Sequence, residues 1–173
     1  MSPEMCNDFV TNLHNEKIFS SELGLQYQNS NVKFNVTGYF SHLSNVSEWQ
    51  NFYYDATSNA DYSGFMYVSL TDLKKEYYGI EAAARIKLTS SLALKLFGTI
   101  SDALYLNDAT VTTMQSTSGN KTGMQCYTKD IRESGTPLTA TSIGLSYANQ
   151  GWYIDLNANW YARIYLSYSC YNR

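Results

Sequence analysis

Charge is scarce in this chain. Of 173 residues, charged side chains make up 16%, against ~25% in an average soluble domain. Neither sign dominates: 12 Lys and Arg stand against 15 Asp and Glu, a net charge of −3. No run of basic residues is available to neutralise phosphates, so nucleic acid is excluded as a partner. Proline occurs only at Pro3 and Pro137, and the 10 glycines follow no period. Collagen-like and low-complexity architectures are therefore excluded. His14 and His42 are the only histidines, too few for a multi-histidine metal site. Cys6, Cys126 and Cys170 show no CxxC spacing and no even pairing, and are read as three independent thiols. No stretch of 18 apolar residues exists to form a membrane-crossing helix. The N-terminal residues have no basic segment followed by an apolar one, so no signal peptide is read there.

Aromatic residues are abundant: 15% of the chain, with 16 tyrosines. With 44% hydrophobic residues, the chain can bury surface and is not a disordered tail. Its mean hydropathy is nonetheless −0.34. Ser, Asn, Thr and Tyr carry the polarity that Lys and Glu carry elsewhere.

The dominant pattern is alternation with period two, the signature of strands. Over residues 31–42, Val32, Phe34, Val36, Gly38 and Phe40 alternate with Lys33, Asn35, Thr37, Tyr39 and Ser41. Over 77–88, Tyr78, Ile80, Ala82, Ala84, Ile86 and Leu88 oppose Gly79, Glu81, Ala83, Arg85 and Lys87. Residues 91–101 and 152–161 repeat the pattern, and 22–28 and 141–147 match it over shorter lengths. Short polar connections at 29–31, 89–91 and 148–151 join these segments in pairs, as tight hairpin turns do. Longer connections, 43–76 and 102–140, lie between the pairs, with a strand extension read at 65–70. Residues 7–14 carry a weak helix signal. The expected fold is all-β: an antiparallel meander of about six long strands.

An apolar face on a meander suits a soluble sandwich or small barrel, or the lipid-facing wall of a transmembrane barrel. Three features favour the wall. The alternating runs reach 10–12 residues, beyond the ~5–6 usual in globular sheets. Residues 78–88 would span ~33 Å, or ~25 Å at a tilt of ~40°, the height of an outer-membrane barrel's apolar band. Tyr147 and Trp152 flank one tight turn, and Trp160 lies at the other end of its strand, as aromatic girdles require. Short turns at one end and long loops at the other give the asymmetry of such barrels. Six strands are too few to close, since the smallest single-chain membrane barrels have eight. The chain is therefore expected to be part of a barrel.

The stretch Asn15-Glu16-Lys17-Ile18-Phe19-Ser20-Ser21-Glu22-Leu23-Gly24 resembles the L-x-P-E-x-(S/T)-x-x-x-E-x-G segment that opens a barrel strand in TonB-dependent outer-membrane receptors, with Asn15 where the family often has Pro. Ser47-Glu48-Trp49-Gln50-Asn51-Phe52, Lys75-Glu76-Tyr77-Tyr78-Gly79-Ile80-Glu81 and Glu133-Ser134-Gly135-Thr136-Pro137 continue the match in order. Together they look like the late barrel region of receptors of the Bacteroidetes type, over nearly the whole chain. The resemblance implies a transporter rather than an enzyme, located in the cell outer membrane. It implies import of a large nutrient such as a siderophore, cobalamin or glycan, with no cofactor. Implied partners are outer-membrane lipid, the rest of the barrel and its plug, the nutrient, and the TonB complex through segments absent here.

No GxSxG, GxGxxG, P-loop, HExxH or EF-hand pattern occurs. Met114, Met124 and Cys126 share a long loop, but their spacing matches no soft-metal ligand set. Lys33, Glu81, Arg85, Lys95 and Asp155 share the polar parity and are expected to line a water-filled lumen rather than form a catalytic dyad. Trp49, Phe52, Tyr53, Tyr54 and Asp55 are the ligand-binding candidates, because aromatics at a loop tip stack on sugars or flat ligands. The same rings would also serve to pack the loop against its neighbours. The alternative to a receptor is a soluble β-rich module that binds a ligand or carbohydrate through this loop.

Overall fold

The computed structural model describes residues 13–55, 63–115 and 119–166, and the side chains among them outside 51–67 and 112–125. It is an antiparallel sheet of eight strands: β1 (Lys17–Gln28), β2 (Val32–Asp55), β3 (Ser63–Lys87), β4 (Leu92–Tyr105), β5 (Ala109–Gln115), β6 (Gly119–Cys126), β7 (Pro137–Asn149) and β8 (Trp152–Ile164). Six of them run in the order β1-β2-β3-β4-β7-β8, and the β5–β6 hairpin joins through β3. Among the described residues β1 and β8 each have a partner on one side only, so the sheet is open. The helix signal falls on residues 7–12, which lie outside the described residues, and on Leu13 and His14, which are not helical. No helix among the described residues is long and apolar enough to cross a membrane, which bears on helical spans alone.

Three tight turns set the register, each by its own chemistry. Asn29 Oδ1 accepts from the backbone N–H of Asn31 at 2.9 Å and of Val32 at 2.7 Å, an Asx turn. Thr89 Oγ1 does the same for Ser91 at 3.2 Å and Leu92 at 3.0 Å. Between β7 and β8, Gln150 and Gly151 take φ values of 46° and 87°, the doubly left-handed turn whose twist matches a two-residue hairpin.

With these registers the apolar parities of neighbouring strands coincide. Tyr27 pairs with Phe34, Phe34 with Ala84, Ala84 with Leu96, Leu96 with Ile143 and Ile143 with Ala158. One row nearer the turns, Val32, Ile86, Leu94, Leu145 and Leu156 follow one another across the sheet. A single apolar face thus crosses all six strands. Nothing covers it among the described residues: Leu23 is 78% and Leu156 65% exposed.

The first long connection corrects the expected loop. Residues 48–55 and 63–70 are strand, paired from Glu48↔Leu70 to Asp55↔Ser63. This limb extends the β2–β3 hairpin past the level where β4 ends. The second connection corrects the count of strands, because it contains the β5–β6 hairpin. β5 continues the direction of β4 after a jog at 106–108, and β3 changes partner there, from Tyr105 opposite Lys75 to Thr110 opposite Thr71.

Two bulges mark that level. Asn45 and Asp72 both have φ of 58°, a conformation that Asn and Asp tolerate best among residues with a Cβ. Asn107 holds the second one. Its Nδ2 donates to the Asp72 carbonyl at 2.8 Å, and its Oδ1 accepts from the Lys74 N–H at 2.7 Å. Beyond the bulges lies the buried core: Val46, Val68, Leu70, Leu73, Tyr105, Ala109, Val111 and Cys126, with Leu43 and Ile131 packed against them. The core sits on the polar-parity side of the sheet, and residues 130–133 run beside β4, hydrogen-bonded to Ala103 and Tyr105 and bridged to Leu104.

Candidate functional site

The five residues expected on the polar face share it, and the register brings three into one row. Lys33 pairs with Arg85, and Arg85 with Lys95. Like charges directly opposite one another are unfavourable, and one end of the row is relieved. Lys95 Nζ is ion-paired with Asp155 Oδ2, an oxygen that also accepts from Tyr153 OH at 2.6 Å. The pair bridges β4 and β8 across Gly144 of β7, which stands opposite both Lys95 and Asn157. A Cβ on Gly144 would come within 2.3 Å of Asn157 Oδ1, so the small residue leaves the path open. Glu81 stands apart from the row, between Thr37 and Thr99.

Of the ligand-binding candidates, Trp49 is described and is 60% exposed. It lies on β2 within the limb rather than at a loop tip. Because side chains alternate along a strand, it points away from the face that Glu48 occupies. The side chains of Phe52, Tyr53, Tyr54 and Asp55 lie outside the described residues.

Glu48 turns to the core side and meets a cluster that periodicity did not reveal. Lys75 is 4% exposed. Its Nζ is ion-paired with Glu48 Oε1, donates to Glu133 Oε1 at 2.8 Å, and sits 4.8 Å from the centre of the Tyr105 ring. Tyr105 OH donates to Glu48 Oε2 at 2.9 Å. Burial alone would lower the pKa of Lys75; hydrogen bonds to Glu133 and Glu48, with their negative charge, overcome it and raise the pKa. Four segments (β2, β3, β4 and the β6–β7 connection) are joined at one ammonium. Two carboxylates against one ammonium leave the cluster negative, with Glu48 24% and Glu133 31% exposed.

A second cluster lies on the opposite face. Asp102, opposite Tyr78 on the apolar parity, accepts from Arg132 Nε at 2.8 Å and from Arg163 Nη2 at 3.0 Å. Arg163 Nη1 also donates to the Ser101 carbonyl at 2.9 Å. Arg132 stands beside β4 through a single antiparallel bridge to Leu104, outside any alternating run, and Arg163 reaches over from β8, two strands away, so spacing gave no sign of either contact. His42 and Glu76, opposite each other in register, are 3.3 Å apart. Cys126 is buried and disulfide-bonded, which corrects the expectation of three independent thiols.

Comparisons with family models, with curated proteins and with solved structures find no match to this chain.

Proposed function

We propose that the chain forms part of the wall and outward limb of a transmembrane β-barrel in the outer membrane, of the TonB-dependent receptor type, serving uptake of a large nutrient. One observation carries the reading: a continuous apolar face across six strands in register, exposed or half-exposed with no described residue of it buried, backed by a face bearing Lys33, Glu81, Arg85, Lys95 and Asp155. A sheet must bury its apolar face against a second layer, and a soluble surface rarely leaves a patch of that extent open. Lipid supplies the missing layer, and a water-filled lumen solvates the charged face.

Two further features support it. Trp152 and Trp160, 73% and 59% exposed, stand eight steps apart on β8, ~26 Å along the strand and ~20 Å after a tilt of ~40°. Amphipathic rings at both ends of an apolar band favour two membrane–water interfaces. The disulfide at Cys126 suits a compartment outside the reducing cytosol. The open sheet leaves β1 and β8 to pair with further strands of the same barrel, since an unpaired edge in lipid is untenable. In this reading the limb of β2 and β3 stands above the membrane on the outside. Trp49, Phe52, Tyr53, Tyr54 and Asp55 are carried there, where a nutrient first arrives. Transport, rather than catalysis, is the role such a wall performs.

The test is the solvent the chain requires. The purified full chain is expected to need detergent or lipid to stay dispersed, and to gain protection from protease on insertion into vesicles. A monomer that folds cooperatively in plain buffer, and there binds a carbohydrate through Trp49, would replace this reading with that of a soluble binding module.

A further inference from the structure

We infer that the apolar face carries a docking site for one lipid of net negative charge, an anionic phospholipid, its acyl chain lying in a trough across β3, β4 and β7 and its phosphate against Arg163. The inference rests on the membrane reading above. The trough comes from the size of the residues in one row. Leu25, Val36, Ala82, Gly98, Thr141 and Trp160 follow one another across the six strands, large at both ends and small in the middle. Ile80 and Ile100 stand above the small residues as a paired ridge, 59% and 64% exposed. The resulting depression holds about 620 Å³, within the range of small-molecule sites. Its walls are almost wholly apolar up to one end, where Asp102 and Arg163 close it.

The head of the trough is built at a conformational cost. Residues 152, 154, 156, 158, 160 and 162 of β8 share the apolar face, so Arg163 belongs by parity to the other one. Its backbone instead takes φ of 56°, a left-handed conformation uncommon for residues other than Gly, Asn and Asp. The guanidinium thereby lies over the apolar side, lining the depression and reaching Asp102 of β4. Strain held at one residue is a pointer to function when its consequence is a placed group. Arg132 meets Asp102 as well. Two guanidiniums against one carboxylate leave one positive charge in excess, and both arginines keep about a third of their side chains exposed (Arg132 38%, Arg163 34%). Arg163 lines the same depression as Tyr78, and its planar guanidinium, with five N–H donors, matches phosphate geometry. The surface it presents to the membrane is thus cationic at the head and apolar along the groove, the charge and shape complement of an acylated phosphate.

The full chain, refolded into detergent micelles, is offered phosphatidylglycerol or phosphatidylcholine with the same acyl chains, and retained lipid is counted by native mass spectrometry. Phosphatidylglycerol is expected to be retained roughly tenfold over phosphatidylcholine, the scale of a charge-assisted hydrogen bond. Arg163→Gln removes the head and should abolish the preference. Gly98→Leu fills the trough and should lower retention of both lipids. The backbone tolerates it, since a Cβ there meets only Thr141 Cγ2, at 3.8 Å. Lys87→Gln, an equal charge change at the far end of β3, should leave retention unaltered. Equal retention of the two lipids, or unchanged preference in both site variants, overturns the inference. So does displacement of phosphatidylglycerol by millimolar inorganic phosphate alone, which would mean an anion site without a chain groove. A chain that inserts into vesicles but shows no preference overturns this inference and spares the membrane reading; a soluble monomer overturns both.

Discussion

Lys75 and Glu133 lie 58 positions apart in sequence, yet the ammonium of one donates to the carboxylate of the other at 2.8 Å. That contact pins the β6–β7 connection to β3, directly over the core formed by Leu70, Leu73 and Tyr105. The backbone runs alongside it: Tyr105 N–H donates to the Ile131 carbonyl and Glu133 N–H to the Ala103 carbonyl. The connection is therefore paired with β4 through its backbone and tied to β3 by one buried cation.

Removing that cation strands two carboxylates. Lys75→Met should destabilise the chain by about 1–3 kcal/mol, because the loss of the ammonium leaves two half-buried carboxylates uncompensated. Adding Glu48→Gln and Glu133→Gln should recover at least half of the loss, as the repulsion disappears with the charges. Urea unfolding in detergent micelles reads both. A triple variant as unstable as the single one would show that the ammonium acts through packing on Tyr105 instead.

The same cluster sets a pH window. The pKa of Lys75 is raised above its ordinary 10.5, so the folded state holds this proton more tightly than the unfolded one. The stabilisation is fully present below 10.5 and is lost as the pH climbs through the raised folded value. The stability gap between the native chain and Lys75→Met should stay constant from pH 8 to 10 and narrow above that. A gap that already closes by pH 9 would contradict the raised pKa.

The lower sheet was legible because its determinants are local. Period-two runs such as residues 77–88, and the turn residues Asn29, Thr89 and Gly151, fix which face each side chain takes. Beyond Leu43 the alternation stops being a guide. The bulges at Asn45 and Asp72 each shift the count by one, so Glu48 and Leu70 share a face that simple parity denies to Leu43 and Leu73. A one-residue shift reverses every assignment that follows, and that is why residues 48–55 read as loop and Glu48 could not be placed beside Lys75. Arg163 escaped for the same reason: a left-handed residue moves a side chain to the face opposite its parity. The partners of Asp102 are distant in sequence, 30 residues away for Arg132 and 61 for Arg163, and neither contact falls within an alternating run.

The bulge at Asp72 depends on a single amide. Asn107→Ala takes a donor from the Asp72 carbonyl and an acceptor from the Lys74 N–H, at a cost of about 1–2 kcal/mol. The loss should be local. Hydrogen exchange is expected to quicken at Leu106, Ala109 and Val111 while protection at Ile80, Leu94 and Leu145 persists. Uniform loss of protection along β3 and β4 would mean that the limb and the lower sheet open as one unit.

The apolar face offers a direct discrimination between lipid and water. Leu156 lies midway between Trp152 and Trp160 on β8 and is 65% exposed. In water, replacing so exposed a leucine by arginine costs little, since surface substitutions stay within about 0.5 kcal/mol. At the midplane of a bilayer the same change costs about 2–4 kcal/mol. Leu156→Arg should therefore impair folding into vesicles by that amount, whereas Asn157→Arg, on the opposite face of the same strand, should change it by less than about 1 kcal/mol. Urea-dependent insertion into large unilamellar vesicles measures both variants. Equal effects at 156 and 157 would mean that the two faces meet the same solvent, and the assignment of this sheet to a membrane wall would fall.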